Sequence, residues 1–287
     1  HSPEKFGFDY WLSTTNFFDI NPLMSNKGDF VDLEGSSSKV IFDEALKFIR
    51  KEKEDKSPFF AVIWDGSPHD PWQANDKDKI NFQSLDENSQ NHYGELVAFD
   101  RNIGILRKKI REMNISENTI IIFFTDHGTG IGERFGERNY GSFTFEETIR
   151  TFYLFIGPKI VSNQKSDKLL STIDIFPTIL ELCDIKIKQK KIGSSFHDFL
   201  LGKQSNPSDK EFAFSETGPL HGPYTSPEKH NMFCIKTKDY KLMYNKDGNE
   251  WSLFNLLEDP KETKNIFGTG IRAEKKLKNE LLNWINR

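Results

Sequence analysis

The chain has 287 residues, 29% charged and 36% hydrophobic, enough for one large domain or one and a half. Its 39 basic and 43 acidic residues give a formal charge of −4, which implies neither a nucleic-acid nor a membrane partner. No run approaches the roughly 18 apolar residues that a membrane span needs.

The chain opens His1-Ser2-Pro3-Glu4, with neither an initiator Met nor a signal peptide, and is therefore expected to be processed or shortened. Residues 1–35 mix Gly, Asn, Pro and aromatics without period and read as an ordered, aromatic-pinned loop segment. Ile41, Ala45, Phe48 and Ile49 then share one face behind a run of serines, which predicts a capped helix ending in the charge run Lys51 to Lys56. Pro58 to Asp65 reads as a buried strand. Its end carries Ser67-Pro68-His69-Asp70-Pro71-Trp72, where the prolines restrict the backbone around His69. A rigid strand-end histidine could hydrogen-bond an anionic substrate or act as a general acid, or it could be a plain turn residue. Residues 88–114 are predicted as the longest helix, with Leu96, Ile103 and Ile110, and Phe99, Leu106 and Met113, recurring every seven as a core stripe.

Ile120 to Phe124 is a continuous apolar run closed by turn formers, as in a strand buried on both faces of a parallel sheet. It ends in Asp126-His127-Gly128, and strand ends are where open α/β sheets bind ligands. A carboxylate oxygen beside an imidazole nitrogen suits a divalent metal. The plain alternative is a turn-capping Asp and a loop His. In the following Gly-rich loop, Gly128 to Gly141, Arg134 and Arg138 could address an oxyanion or could be surface charges, and no Walker lysine follows.

Phe152 to Ile156 reads as the next strand, and Ser171 to Leu180 as a helix with Asp174 near its N-terminus. The α/β pattern stops near Asn206-Pro207. Beyond it, 232–238, 241–244 and 251–256 read as short antiparallel strands and 272–286 as an amphipathic helix. Two parts follow: an α/β portion over 1–205 and a small antiparallel subdomain over 206–287. Cys183 and Cys234 lie in apolar sequence and read as buried free thiols.

The segments Gly7-Phe8-Asp9, Pro58-Phe59-Phe60, Ser67 to Trp72, Asn118 to Ile121 with Thr125 to Gly128, Phe145 to Arg150, Asp174 to Thr178, and Leu253 to Leu256 with Asp259-Pro260 stand together in one order. In that order the chain resembles the sulfatases of the alkaline-phosphatase-like superfamily. The resemblance implies an α/β fold: a large mixed, mostly parallel sheet between helices, plus a small antiparallel C-terminal sheet with a terminal helix. It implies one divalent metal, usually Ca2+ (Mg2+ or Mn2+ otherwise), with Asp126 and His127 as the later pair of ligands. His69 then matches a histidine that contacts the sulfate or the leaving-group oxygen. The implied substrate is a small-molecule or glycan sulfate ester, and a periplasmic or secreted setting is usual for such enzymes.

Three elements of the family pattern are absent. Neither cysteine stands in the Cys/Ser-x-Pro-x-Arg motif that becomes the formylglycine nucleophile, and the early Asp-Asp pair and the Lys-x-His element are missing. The chain thus looks like the C-terminal two-thirds of a longer sulfatase, inactive alone, with the missing N-terminal part as a partner. The loop after His127 also lacks the family's sulfate-binding Lys, for which Arg138 or Arg134 could substitute. Asp-His in place of Asp-Asn is equally compatible with a phosphoesterase or phosphonate hydrolase, with His221 as an extra ligand. The missing Lys would also suit a catalytically dead protein that binds sulfated ligands.

Overall fold

The structure, a computed structural model, describes residues 3–14, 20–66, 69, 71–132, 134, 143–188, 192–207, 210–217 and 232–287. It divides into two units, His1–Thr119 and Ile120–Arg287.

In the first unit, β1 (Leu23–Asn26) and β2 (Asp29–Asp32) form an antiparallel hairpin in the register Asn26↔Asp29. Lys27 and Gly28 between them both have positive φ, 54° and 97°, the backbone of a primed two-residue turn. The hairpin lies in the segment read from sequence as loop. The Ser36 side chain accepts from the Lys39 amide and starts α1 (Ser37–Glu54), which buries Val40, Phe42, Leu46 and Ile49. After the short α2 (Asp76–Lys79), the Asp86 carboxylate accepts from the Ser89 amide and starts α3 (Glu87–Glu112). Phe42 and Phe99 meet edge to face at 5.8 Å between α1 and α3.

Two expectations for this unit change. The buried face of α3 is rotated from the predicted stripe: it carries His92, Glu95, Asn102, Leu106 and Ile110, while Leu96 is exposed. The apolar period was right for the C-terminal half only, because polar residues with buried partners occupy the face before it. Pro58 to Asp65 forms no strand ladder among the described residues, and the alternate residues Phe60, Val62 and Trp64 are exposed.

In the second unit, β3 (Ile121–Phe124) pairs with β4 (Tyr153–Ile156), Ile121 opposite Ile156. This ladder is antiparallel where sequence suggested a parallel neighbour, and its residues are half-buried or exposed. Between the two strands stands the one-turn helix α4 (Glu146–Ile149). A 3-10 turn, Thr172–Asp174, runs into α5 (Ile175–Leu182), and α6 (His197–Leu200) follows. Asp174 is fully buried there and accepts from the Ser171 amide at 2.8 Å, the Ser194 amide at 2.7 Å and the Lys210 ammonium. Cys183, expected to be buried, is the exposed C-cap of α5, whereas Cys234 is buried; both are free thiols.

The C-terminal sheet is an antiparallel meander in the order β5 (Ala213–Thr217), β6 (Met232–Lys236), β7 (Tyr240–Asn245), β8 (Glu250–Asn255). Successive side chains point to opposite faces. Ile235, Leu242 and Leu253, cross-strand neighbours on one face, pack against Leu277 and Leu281 of α7 (Arg272–Ile285). Met232, Cys234, Met243 and Phe254 form the other face and pack against Phe143, Phe145 and Ile149 around α4.

Candidate functional site

β3 ends at Phe124, with Thr125 alone between it and Asp126-His127, so the strand sets where both side chains emerge. Asp126 Oδ1 accepts from the His127 amide at 2.9 Å. His127 Nδ1 lies 2.5 Å from the Gly128 carbonyl. A carbonyl can only accept, so Nδ1 carries the proton and Nε2 presents its lone pair. Nε2 is 3.7 Å from Asp126 Oδ2, and the His and Asp side chains are 60% and 69% exposed. Two donors at this separation can share one ion with bonds of about 2.0–2.5 Å. The imidazole's other nitrogen held by a backbone carbonyl is also the usual support of a metal-bound histidine. The pair therefore fits a divalent cation as two of its ligands. Among the described residues no group of three or more His, Cys, Asp and Glu side chains could hold a metal, so this is a partial ligand set.

Gly128 closes the turn. Its amide donates to the Thr148 carbonyl at 2.9 Å. A β-carbon at this position would overlap the Glu147 carbonyl oxygen and come within 3.1 Å of its carbon and 3.3 Å of the Arg150 oxygen. Glycine is needed here for close approach of backbone to backbone.

Arg134 is committed elsewhere. Its Nε donates to Glu147 Oε1 at 2.6 Å, its two terminal nitrogens donate to the Glu262 carbonyl at 3.1 Å and the Lys261 carbonyl at 2.7 Å, and the guanidinium lies 3.8 Å above the Phe145 ring. Those contacts use the fork that an oxyanion would need, so the structure gives Arg134 a structural part rather than the anion-binding one considered from sequence. Arg138 and His221 lie outside the described residues, as do Ser67, Pro68 and Asp70.

His69, in the first unit, is half-buried, and its amide donates to the Gly66 carbonyl at 2.9 Å. The chain just after it is seated on α3. Glu95 Oε1 accepts from the Gln73 amide at 2.6 Å, Asn91 accepts from the Ala74 amide at 3.3 Å, and Trp72 meets His92 edge to face at 5.0 Å. The chain just before it is tied to α1 and α3: Ser38 Oγ donates to Asp65 at 2.5 Å and accepts from Asn102 at 3.0 Å. Burial pushes the Glu95 carboxyl up to about 8, with the Asp65 charge adding to the effect and the Gln73 amide opposing it. Sequence reading missed Ser38, Glu95 and Asn102. The available signal was polar residues at helical spacing on the face that also holds Leu106 and Ile110.

Comparison with known proteins gives one consistent answer. The model of the sulfatase family matches residues 1–185, and that of the C-terminal region of N-sulphoglucosamine sulphohydrolase matches residues 136–287. An ulvan-active sulfatase of Formosa agariphila is 28% identical over 286 residues, covering 91% of this chain and 55% of the relative. An N-acetylglucosamine-6-O-sulfatase of Bacteroides thetaiotaomicron is 28% identical over 194 residues, covering 65% and 33%. The chain spans about half the length of the curated relatives it matches over most of its own length. A solved complex with the substrate D-glucosamine-2-N,6-O-disulfate superposes with a TM-score of 0.78 at 18% identity, over 98% of this chain and 75% of the other. At that identity the likeness speaks to the fold alone, and the fold is the α/β, alkaline-phosphatase-like one expected from sequence.

Proposed function

We propose, from the premise that the chain belongs to the sulfatase family as the match over residues 1–185 shows, that the protein hydrolyses sulfate monoesters of sugars or glycans. The observation that carries the reading is the pair Asp126 Oδ2 and His127 Nε2, 3.7 Å apart, exposed, and oriented at the end of β3. The ulvan-active sulfatase and the N-acetylglucosamine-6-O-sulfatase among the chain's relatives support the glycan class.

In this reading Asp126 and His127 are metal ligands, and the Gly128 carbonyl holds the Nδ1 edge of the imidazole, leaving Nε2 as the nitrogen that faces the ion. A divalent cation, Ca2+ first and Mg2+ or Mn2+ otherwise, would supply Lewis-acid polarisation of the ester oxygens. His69 hydrogen-bonds the sulfate or the leaving oxygen, and a proton held on its ring could pass to the departing alcohol. Arg138 is the side chain proposed to bind the sulfate. Neither cysteine suits the nucleophile's part: Cys183 caps a helix, and burial pushes the Cys234 thiol up, away from the thiolate. The formylglycine nucleophile and the remaining ligands are proposed to come from the part of the family's length that this chain does not span.

The test is release of inorganic sulfate from 4-nitrophenyl sulfate and glucosamine 6-sulfate, with and without a chelator, by a protein of the relatives' full length that contains this chain. Sulfate release that stops on chelation is expected. Release of phosphate from the matching phosphate esters, with none from the sulfates, would replace the reading with a phosphoesterase.

A further inference from the structure

Lys241 is a fully buried lysine on β7, on the face of the sheet that meets α4. Its ammonium lies 2.6 Å from Glu262 Oε1 and 3.3 Å from Glu146 Oε1. Glu146 also pairs with Lys236, and its amide donates to Glu262 Oε2 at 2.7 Å. Glu262 is itself buried and holds a φ of 53°, which a non-glycine residue adopts only when its surroundings enforce it. The turn that enforces it is capped by Asp259, whose carboxylate accepts from the Thr263 and Lys264 amides at 3.1 and 2.8 Å. The carbonyls of the same turn, Lys261 and Glu262, accept from Arg134, which grips Glu147.

The pairs made by Glu146 and Glu147 bring the sheet and this turn together on α4. Glu146 is held from the sheet by Lys241 and Lys236, and Glu147 is held from the loop by Arg134. The carbonyls of Glu147 and Thr148 are in turn the surface on which Gly128 is seated. Gly128 provides both the carbonyl that fixes the His127 ring and the backbone that follows the Asp126-His127 pair.

We propose that Lys241, through Glu146 and Glu262, and Arg134, through Glu147, are positioning residues that lock α4 beneath Gly128 and so hold the Asp126-His127 backbone in its ligating direction. The purpose given to this lock rests on the metal-ligand reading above, while the lock itself rests on the contacts alone. Lys241 is suited to the task because it neutralises two buried carboxylates that would otherwise repel one another across the joint. Burial pushes Glu146 up, but Lys241 and Lys236 together outweigh it and hold the carboxyl below its ordinary range, whereas burial keeps the Glu262 carboxyl above its own in spite of Lys241.

The test is nuclear magnetic resonance on the isotope-labelled 287-residue chain, with Mn2+ as probe, for the unaltered chain, Lys241→Met and Arg134→Met. Amide exchange at Gly128 should quicken about tenfold or more in each variant. Exchange at Leu253, whose amide is bonded to Asn265 within the second unit, should stay where it is. The Mn2+ concentration that broadens the His127 ring signals should rise about tenfold. Arg134→Met acts from the loop outside the sheet, so it decides the matter if Lys241→Met does not fold. Unchanged Gly128 exchange, or a rise matched at Leu253, would overturn the proposal. If Mn2+ leaves His127 of the unaltered chain untouched, because two ligands alone do not hold it, Gly128 exchange by itself decides whether the lock exists.

Discussion

The α-carbon of Gly128 rests against the carbonyl of Glu147, with no space for a β-carbon between them. A substitution at this point, one residue past His127, acts on the candidate site without touching its donors. Gly128→Ala is expected to cost about 1–3 kcal/mol, because the obstruction is backbone and cannot rotate away. Urea unfolding measures the cost. Mn2+ broadening of the His127 ring should weaken together with it, and an unchanged unfolding midpoint would contradict the close seat.

Glu95 predicts a pH dependence with a definite sign. The unfolded carboxyl ionises near 4.5 and the folded one near 8, so between those values the folded chain keeps a proton that the unfolded chain has lost. Stability from this group therefore falls as pH rises through that window, by at most about 1.4 kcal/mol per unit, and levels off above pH 8. Glu95→Gln keeps a neutral acceptor for the Gln73 amide and should remove this part of the slope. Unfolding midpoints of both proteins at pH 5.5 and 8.5, values chosen on the order of the window's two ends, provide the check. Equal slopes would mean that Glu95 is charged in the fold.

Asp174 joins three segments of the second unit through Ser171, Ser194 and Lys210. Asp174→Ala leaves two amides and an ammonium facing an empty space, which is expected to cost about 3–5 kcal/mol. Asp174→Asn should cost less, because an oxygen acceptor remains. Chemical denaturation of the pair ranks them, and a reversed order would show that the charge of Asp174 is a burden to the fold.

The metal reading separates Asp126 and His127 from their neighbours. Asp126→Asn and His127→Ala should each weaken Mn2+ binding, measured by the metal's proton relaxation, while leaving the melting temperature within about 2 °C, since both side chains are exposed. A large loss of stability without loss of binding would identify the pair as a turn device.

What the sequence revealed follows from which residues carry a period. α1, α7 and the last three strands of the C-terminal meander were legible because their apolar positions face one layer and their turns are punctuated, while β5 was not read. The first hairpin was not, because its turn is Lys27-Gly28 and lacks the Asn-Gly or Asp-Gly signature. β3 was legible as a strand, but direction of pairing depends on β4, and nothing local to Ile121 to Phe124 encodes it. At the site, Asp126 and His127 could be picked out because they close an apolar run. Lys241 could not. A lysine in a strand ordinarily points to water, and it is buried here only because Glu146 and Glu262 arrive from far along the chain.

The unequal placement of the two cysteines gives the chain an internal reporter. Cys183 stands at the exposed end of α5, whereas Cys234 is enclosed between the C-terminal sheet and the aromatic residues around α4. A thiol reagent added to the folded chain should therefore couple once, at Cys183. The second equivalent should be taken up only as the joint between that sheet and α4 opens, so the rate of the slow coupling times the opening of the region that seats Gly128, with no dye or tag engineered into the protein.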